Sequence, residues 1–317
     1  MGEIVMYIGF DWGVIYLGDN GRLFWTADME DVVGWAVKNG FDCLEVATRF
    51  VSKEMDASGI KETTVSEIKK IFEKNGLFIS ALAPWANHLD PDLEARKRNN
   101  DLLRNSIDLC LKLNITILDT AAGSPAGMHF FGTPGLFGLP YEIGSRVEEC
   151  INAFSEVFTP LADHSEAHGV KIAFETAGRG PGGNIAHCPY MWEKMFQAVP
   201  SEALGLSLDP SHLVWLHIGP VESIIRRYGG KVYHLDGKDC EVIPEMLACQ
   251  GIFGNKWWRY RIPGFGALNW AGIISALLDI GFKGSVDIEN EDPLLPGLEG
   301  IALGRKHIAQ FMVDRRV

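Results

Sequence analysis

The stretch VKIAFETAG, Val170–Gly178, is a short apolar run that ends on a carboxylate. Its centre, Ile172 to Phe174, is unbroken apolar rather than alternating, the pattern of a strand buried on both faces. Seven further runs read the same way: IVMYIGFDW (4–12), FDCLEVATR (41–49), LFISALAPW (77–85), ITILDTAAG (115–123), LGLSLDPSH (204–212), KVYHLDGKD (231–239) and FKGSVDIEN (282–290). Between them lie amphipathic segments such as TVSEIKKIFEKNG and VEECINAFSEVFTPLADHSEAHG. Five helices are expected to stop at Asn-Gly, His-Gly, Gly-Gly or Ile-Gly just before the next strand, where glycine supplies the left-handed cap. Eight strands with eight helices is the count of a (β/α)8 TIM barrel, here a single domain over 1–317. A doubly wound sheet would leave about two strands over. No linker or low-complexity tract divides the chain.

Composition agrees with a large enclosed core: 317 residues, 47% hydrophobic and 22% charged. The formal net charge of -12 supplies no basic stripe, which disfavours a nucleic-acid backbone or an anionic membrane as partner. Apolar runs are too short to span a bilayer. The start MGEIVMYIGFDWG has no basic segment and meets Asp11 early, so it is not expected to be a signal peptide or a myristoylation site. Six cysteines, Cys43, Cys110, Cys150, Cys188, Cys240 and Cys249, form no C-x-x-C pair. Reduced thiols in a cytoplasmic protein are expected.

Two βα connections are unusually long: the one after strand 4 and the one after strand 7, roughly Cys240 to Leu268. The first contains MHFFGTPGLFGLP, Met128–Pro140, with three Phe and two Leu set among Gly and Pro. Both belong to the C-terminal face, where barrel enzymes keep their active sites. A lid or an apolar wall made by Phe130, Phe131, Leu136 and Phe137 is expected there, with His129 a candidate acid/base. His88, after strand 3, is a weaker rim candidate. The glycine-rich AGRGPGGN after Glu175 fits neither dinucleotide nor P-loop spacing, so no phosphate site is expected.

The last four strands each end in groups that can bind a metal: Glu175; Asp209 and His212; His234 and Asp236; Glu289 and Glu291. A barrel gathers such ends around one rim, and carboxylates so crowded repel unless a cation neutralises them. Oxygen and nitrogen donors without thiolates suit a divalent ion, Mn²⁺ foremost, with Mg²⁺, Co²⁺ and Zn²⁺ served by the same set.

FET, LDPSH, HLDGKD and IEN, in this order on strands 5 to 8, resemble the xylose-isomerase-like sugar isomerase/epimerase superfamily. The resemblance covers essentially the whole barrel. It implies a metal site on Glu175, Asp209, His234 and Glu289, with His212 and Lys238 touching substrate. Many members read H-x-H-x-K-D on strand 7 and often use the second His, where this chain has Asp236. Residues 234 and 236 share a strand face, so either could be the ligand; His234 is favoured, with Asp236 in reserve. The segment WWRYRIPGFG is similar to members acting on oxidised sugars or glycosides, and the superfamily's substrate-binding arginine falls on Arg261.

Such a site implies enolisation of a keto sugar. Return of the proton gives an epimer or an aldose–ketose isomer; an adjacent leaving group gives β-elimination. The C-glycoside deglycosidase large subunit, which pairs with a small β-sandwich subunit, resembles the chain in WWRYRIPG and in the long loop after strand 4. The resemblance therefore implies cleavage of the carbon–carbon bond of a 3-oxo-C-glycoside, with a ketose 3-epimerase or sugar isomerase as the alternative. Glu175, Glu289 and His129 are the candidates for moving the proton. An oligomer is expected. An endonuclease-type barrel is disfavoured by the acidic balance, and a binding protein without catalysis would hold no tight metal.

Overall fold

The structure is a computed structural model that describes residues 6–15, 28–51, 55–56, 59–60, 62–125, 140–177, 184–252 and 254–312. All eight expected strands form: β1 (Tyr7–Ile15), β2 (Cys43–Ala47), β3 (Phe78–Ala83), β4 (Ile117–Thr120), β5 (Lys171–Glu175), β6 (Leu204–Leu208), β7 (Val232–Gly237) and β8 (Ser285–Asn290). They close into a barrel in which each strand pairs in parallel with its sequence neighbours, and β8 returns to β1 from Tyr7↔Ser285 to Phe10↔Ile288. Every residue of β2, β6 and β8 is buried, which is why those runs carry no alternation.

Helices wrap the barrel: α1 (Met29–Lys38), α2 (Glu62–Asn75), α3 (Leu93–Leu113), α4 (Pro140–His168), α5 (Pro189–Ala198), α6 (Val221–Tyr228), α7 (Trp270–Asp279) and α8 (Gly297–Ile308). Apolar spacing sets which face packs inward. In α2 the buried residues are Val65, Ile68 and Phe72, one stripe at helical period. On α4, Phe154 and Phe158 pack with Phe174 of β5, the latter two rings 4.9 Å apart and edge to face. Fully burying each such ring contributes roughly 1.5–3 kcal/mol.

Four of the five expected glycine stops adopt the left-handed conformation: Gly40, Gly76, Gly169 and Gly281 have φ of +75°, +68°, +66° and +69°. The Gly-Gly pair does not. Gly229 has φ −51° and leads into a 3-10 turn at Gly229–Lys231. Its glycine is required for another reason: a Cβ there would fall 2.6 Å from the Ile280 side chain, just past the end of α7.

The segment after β7 has structure of its own. Asp239–Val242 and Trp258–Arg261 form an antiparallel ribbon, and Pro244–Gln250 is a short helix between them. Buried Asp239 pins the return of this segment, accepting from Cys240 N (2.8 Å), Trp270 Nε1 (3.0 Å), Leu268 N (3.1 Å) and Gly264 N (3.2 Å). His129, Phe130, Phe131 and Phe137 lie outside the described residues, as does Leu136. Among the described residues no helix is long and apolar enough to cross a membrane.

Candidate metal centre

Glu175 is the last residue of β5, and Asp209 follows β6 as the N-cap of the short helix Pro210–Trp215, its carboxylate accepting from Ser211 N at 2.8 Å. Asp236 stands near the end of β7 and Glu289 near the end of β8. Each of these four carboxylates offers an oxygen within 4.8 Å of the others. The expected trio Glu175, Asp209 and Glu289 is thus brought together, but its fourth member is Asp236 rather than His234. Two residues of β7 rise about 6.6 Å, so His234 belongs to the layer beneath.

The rim is charged far beyond its own compensation. Lys238, 1% exposed, ion-pairs with Glu289 Oε2 at 2.5 Å, Asp209 Oδ2 at 2.9 Å and Glu291 Oε2 at 3.1 Å. Burial works against its ammonium, yet the carboxylates of Asp209 and Glu289 raise its proton affinity well above the ordinary lysine value. One ammonium faces Glu175, Asp209, Asp236, Glu289 and Glu291. Burial pushes the carboxyl groups of Glu175 and Asp236 well above the ordinary range, with Asp119 the next cause for each. Asp236 Oδ2 is buried without a hydrogen-bond partner. An orphaned oxygen in a four-carboxylate cluster fits a divalent cation, and Glu175, Asp209, Asp236 and Glu289 would hold it.

His212 completes this side of the rim. Its Nε2 lies 3.1 Å from Asp209 Oδ2 and its Nδ1 3.9 Å from Glu175 Oε1. An aromatic corner stands beside it. Tyr260 is 5.6 Å from the His212 ring and 4.7 Å under the Lys238 ammonium, while Trp215 and Trp258 stack at 4.9 Å.

Arg261 is held by two carboxylates. Its Nε donates to Asp292 Oδ2 at 2.8 Å, which ties the ribbon to the chain just after β8, and its Nη1 donates to Glu241 Oε2 at 2.7 Å, within the ribbon. His88 is also a structural residue, fully buried between Thr120 Oγ1 at 2.9 Å and Asn100 Oδ1 at 3.2 Å.

Below the rim the barrel interior is polar, where bulky branched residues usually fill it. His234 Nε2 donates to Asp287 Oδ2 at 2.8 Å, and Asp287 also accepts from Ser80 Oγ at 2.5 Å. Glu45 and Asp119 stand in the same layer, buried to 4% and 3% exposure. Burial opposes the His234 imidazolium, but the bond and charge of Asp287 raise its pKa overall. Burial raises Asp119 to about 6. Sequence reasoning missed Glu45, Asp119 and Asp287. The signal was present as an acid in the middle of the apolar runs CLEVA, ILDT and SVDIEN, the last of which carries Glu289 as well.

A closed parallel barrel with carboxylates converging on its C-terminal rim invites comparison with known proteins. Residues 33–311 match the family described as Xylose isomerase-like TIM barrel. The chain belongs to this family. Among curated relatives, the uncharacterised protein YfiH of Bacillus subtilis is 27% identical over 292 residues, 86% of this chain and 91% of that one. The inosose isomerase of Halalkalibacterium halodurans is 23% identical over 258 residues, 80% of this chain and 79% of that one. Among solved structures, the IOLI protein with a bound zinc atom matches with a TM-score of 0.69 at 18% identity, covering 97% of this chain and 99% of that one. The xylose isomerase-like barrel therefore extends over nearly the whole chain, and the rim carboxylates occupy the face on which such barrels do chemistry.

Proposed function

We propose that this chain is a metal-dependent sugar isomerase or epimerase that enolises a ketone next to a hydroxyl-bearing carbon. The observation that carries the reading is the convergence of Glu175, Asp209, Asp236 and Glu289 within 4.8 Å on the rim. When bound, a divalent ion, for which we favour Mn²⁺, supplies Lewis-acid stabilisation of the negative oxygen that develops as the proton leaves carbon. Zinc in the IOLI protein and the activity named for the inosose isomerase relative support a metal and a polyhydroxylated ketone as the general class.

The protein's own groups supply the rest. Glu175 is raised in basicity by burial and neighbouring charge, which suits a carboxylate that takes a proton from carbon. Its side chain keeps 14% exposure, so a substrate can reach it. Glu289 approaches from three strands away and is the partner that returns the proton. Delivery to the opposite face of the same carbon gives an epimer; delivery to the former carbonyl carbon, with the hydroxyl proton of the first carbon passing to the enolate oxygen, moves the carbonyl. Lys238 and His212 donate to substrate oxygens, and Tyr260 and Trp258 provide the wall against which a sugar ring rests.

The experiment is isotope exchange. Protein reconstituted with Mn²⁺ in D₂O is incubated with free ketohexoses, with inososes and with a 3-oxo-C-glucosyl flavonoid. Deuterium entering carbon next to the carbonyl, with a new isomer in the NMR spectrum, is the expected result. No exchange on any of the three overturns the reading.

A second reading is β-elimination from a 3-oxo-C-glycoside, favoured by the stacked Trp215–Trp258 pair beside His212, which suits a flat aromatic group. Release of free aglycone, and copurification with a small β-rich subunit, would select it. Exchange on free ketoses without aglycone release would reject it.

A further inference from the structure

We propose that the barrel holds a second divalent cation one layer below the rim, between Glu45, Asp119, His234 and Asp236. These side chains come from β2, β4 and β7, and each offers one donor atom within 4.8 Å of the others. That spacing admits a single ion at ordinary ligand distances of about 2.0–2.3 Å.

Three further observations point to an ion rather than to a self-satisfied polar core. The first is orphaned oxygen. Asp119 Oδ1 and Glu45 Oε2 are buried without a hydrogen bond, on residues only 3–4% exposed, and Glu45 Oε2 meets the His234 ring at Nε2, 3.5 Å away. A buried acceptor left unmade costs about 1–3 kcal/mol, more when charged. Two in one layer, beside the Asp236 Oδ1 that faces His234, need a common partner.

The second is the orientation of His234. Its Nε2–H is fixed by Asp287, itself held by Ser80 and by Cys43 Sγ at 3.6 Å. Donation from Nε2 leaves the Nδ1 edge facing the layer, 3.6 Å from Asp236 Oδ1 and 3.9 Å from Asp119 Oδ2. Ser207 Oγ lies 2.9 Å from the same Nδ1. An imidazole anchored by a carboxylate on one nitrogen while the other faces oxygen donors is the arrangement by which proteins present histidine to a metal.

The third is charge. Asp11, Glu45, Asp119, Asp236 and Asp287 are all at most 8% exposed and share one imidazole. The Lys238 ammonium is engaged one layer higher by Asp209, Glu289 and Glu291. The donor set, three carboxylates and one imidazole, suits Mn²⁺, Co²⁺ or Zn²⁺ over Ca²⁺. Asp236 belongs to both groups, and its two oxygens can serve one ion each. That bridge rests on the rim reading; the inner site does not.

The test is a count of ions and their positions. Full-length protein is stripped with chelator, equilibrated with Mn²⁺ and desalted, then measured by elemental analysis and by anomalous diffraction at the manganese edge. Two ions per chain are expected, one at the rim and one beside His234, with electron paramagnetic resonance showing a coupled pair. Glu45→Gln and Asp119→Asn should each reduce the count to one and leave the rim peak. Glu289→Gln should leave the inner peak. An inner peak without a rim peak would sink the rim reading and sustain this one. A single ion at the rim of the wild-type protein, or no ion at all, overturns the proposal and means that protons neutralise the inner layer. The wild-type diffraction measurement stands even if a variant fails to fold.

Discussion

Two layers of the barrel interior, two residues apart along β7 and β8, handle buried charge by different means. In the rim layer a lysine ammonium lies among Glu289, Asp209 and Glu291, and no hydrogen bond satisfies Asp236 Oδ2. In the layer beneath, His234 and Asp287 form a 2.8 Å bond shielded from water, at 1% and 0% side-chain exposure. The rim can lend its groups to a substrate because Glu175 remains partly open; the inner layer can only support them. Proximity in sequence therefore says little about role. Depth along the barrel axis decides it.

The sharpest way to break this contrast is Glu175→Gln, which keeps the shape and removes the proton acceptor. Turnover is expected to fall by about 10³-fold or more, while thermal denaturation shifts little. Near-normal isotope exchange would place the base elsewhere. Lys238→Met probes the same layer through stability. It leaves Asp209, Glu289 and Glu291 without their shared ammonium, at a cost of about 3–5 kcal/mol in chelator. Added Mn²⁺ should recover much of that loss, because an ion that binds only the folded chain stabilises it by mass action. Urea unfolding in EDTA and in Mn²⁺ measures the difference. An equal loss in both would mean that ammonium and metal do not share the same carboxylates.

The barrel itself was legible because apolar runs long enough for a strand recur eight times, with glycine stopping four of the helices between them. The convergence of Glu175, Asp209 and Glu289 on one rim was legible because a carboxylate at a strand end has one place to go. The fourth rim member was not. His234 and Asp236 share a face, and counting along β7 assumes an even register with β6. The pairing passes from Leu206↔Val232 to Ser207↔His234, an irregularity that takes in one extra residue of β7. Such a slip has no signature in composition, and it moves every following side chain relative to the neighbouring strand. The surroundings of Arg261 were illegible for a different reason. Its partners Asp292 and Glu241 are 31 and 20 residues away, brought near only by the ribbon after β7.

That ribbon offers a smaller perturbation. Gly266 packs against the carboxylate that pins it: a Cβ would lie 2.1 Å from Asp239 Oδ1 and 2.7 Å from Cys240 O. Gly266→Ala must push Asp239 away from its backbone donors, at a cost of about 2–3 kcal/mol. If the ribbon positions Tyr260 and Lys238, KM should rise while the rim ion count stays the same. Unchanged stability would show that Asp239 is free to move.

The smallest effect separates two of the buried imidazoles, His234 and His88. His234, bonded to Asp287, has its proton affinity raised despite burial, whereas burial alone lowers His88 to about 4 because Thr120 and Asn100 bring no charge. The sign for His88 follows from proton counts. Between its unfolded value of about 6.5 and the folded value of about 4, the unfolded chain binds the extra proton, so stability falls as pH falls. Going from about pH 7 to about pH 5 should cost about 2 kcal/mol through this residue. Buried carboxylates with raised pKa, Glu45 and Asp236 among them, act in the opposite direction, because the folded chain then holds the proton. The difference between wild type and His88→Gln cancels those groups. Urea midpoints measured across that range should converge for the two proteins at acid pH and diverge at neutral pH, where the native hydrogen bonds of His88 are intact. Parallel curves would mean that His88 has the same proton affinity in the folded and unfolded chain, and the contrast between the two imidazoles would fall with it.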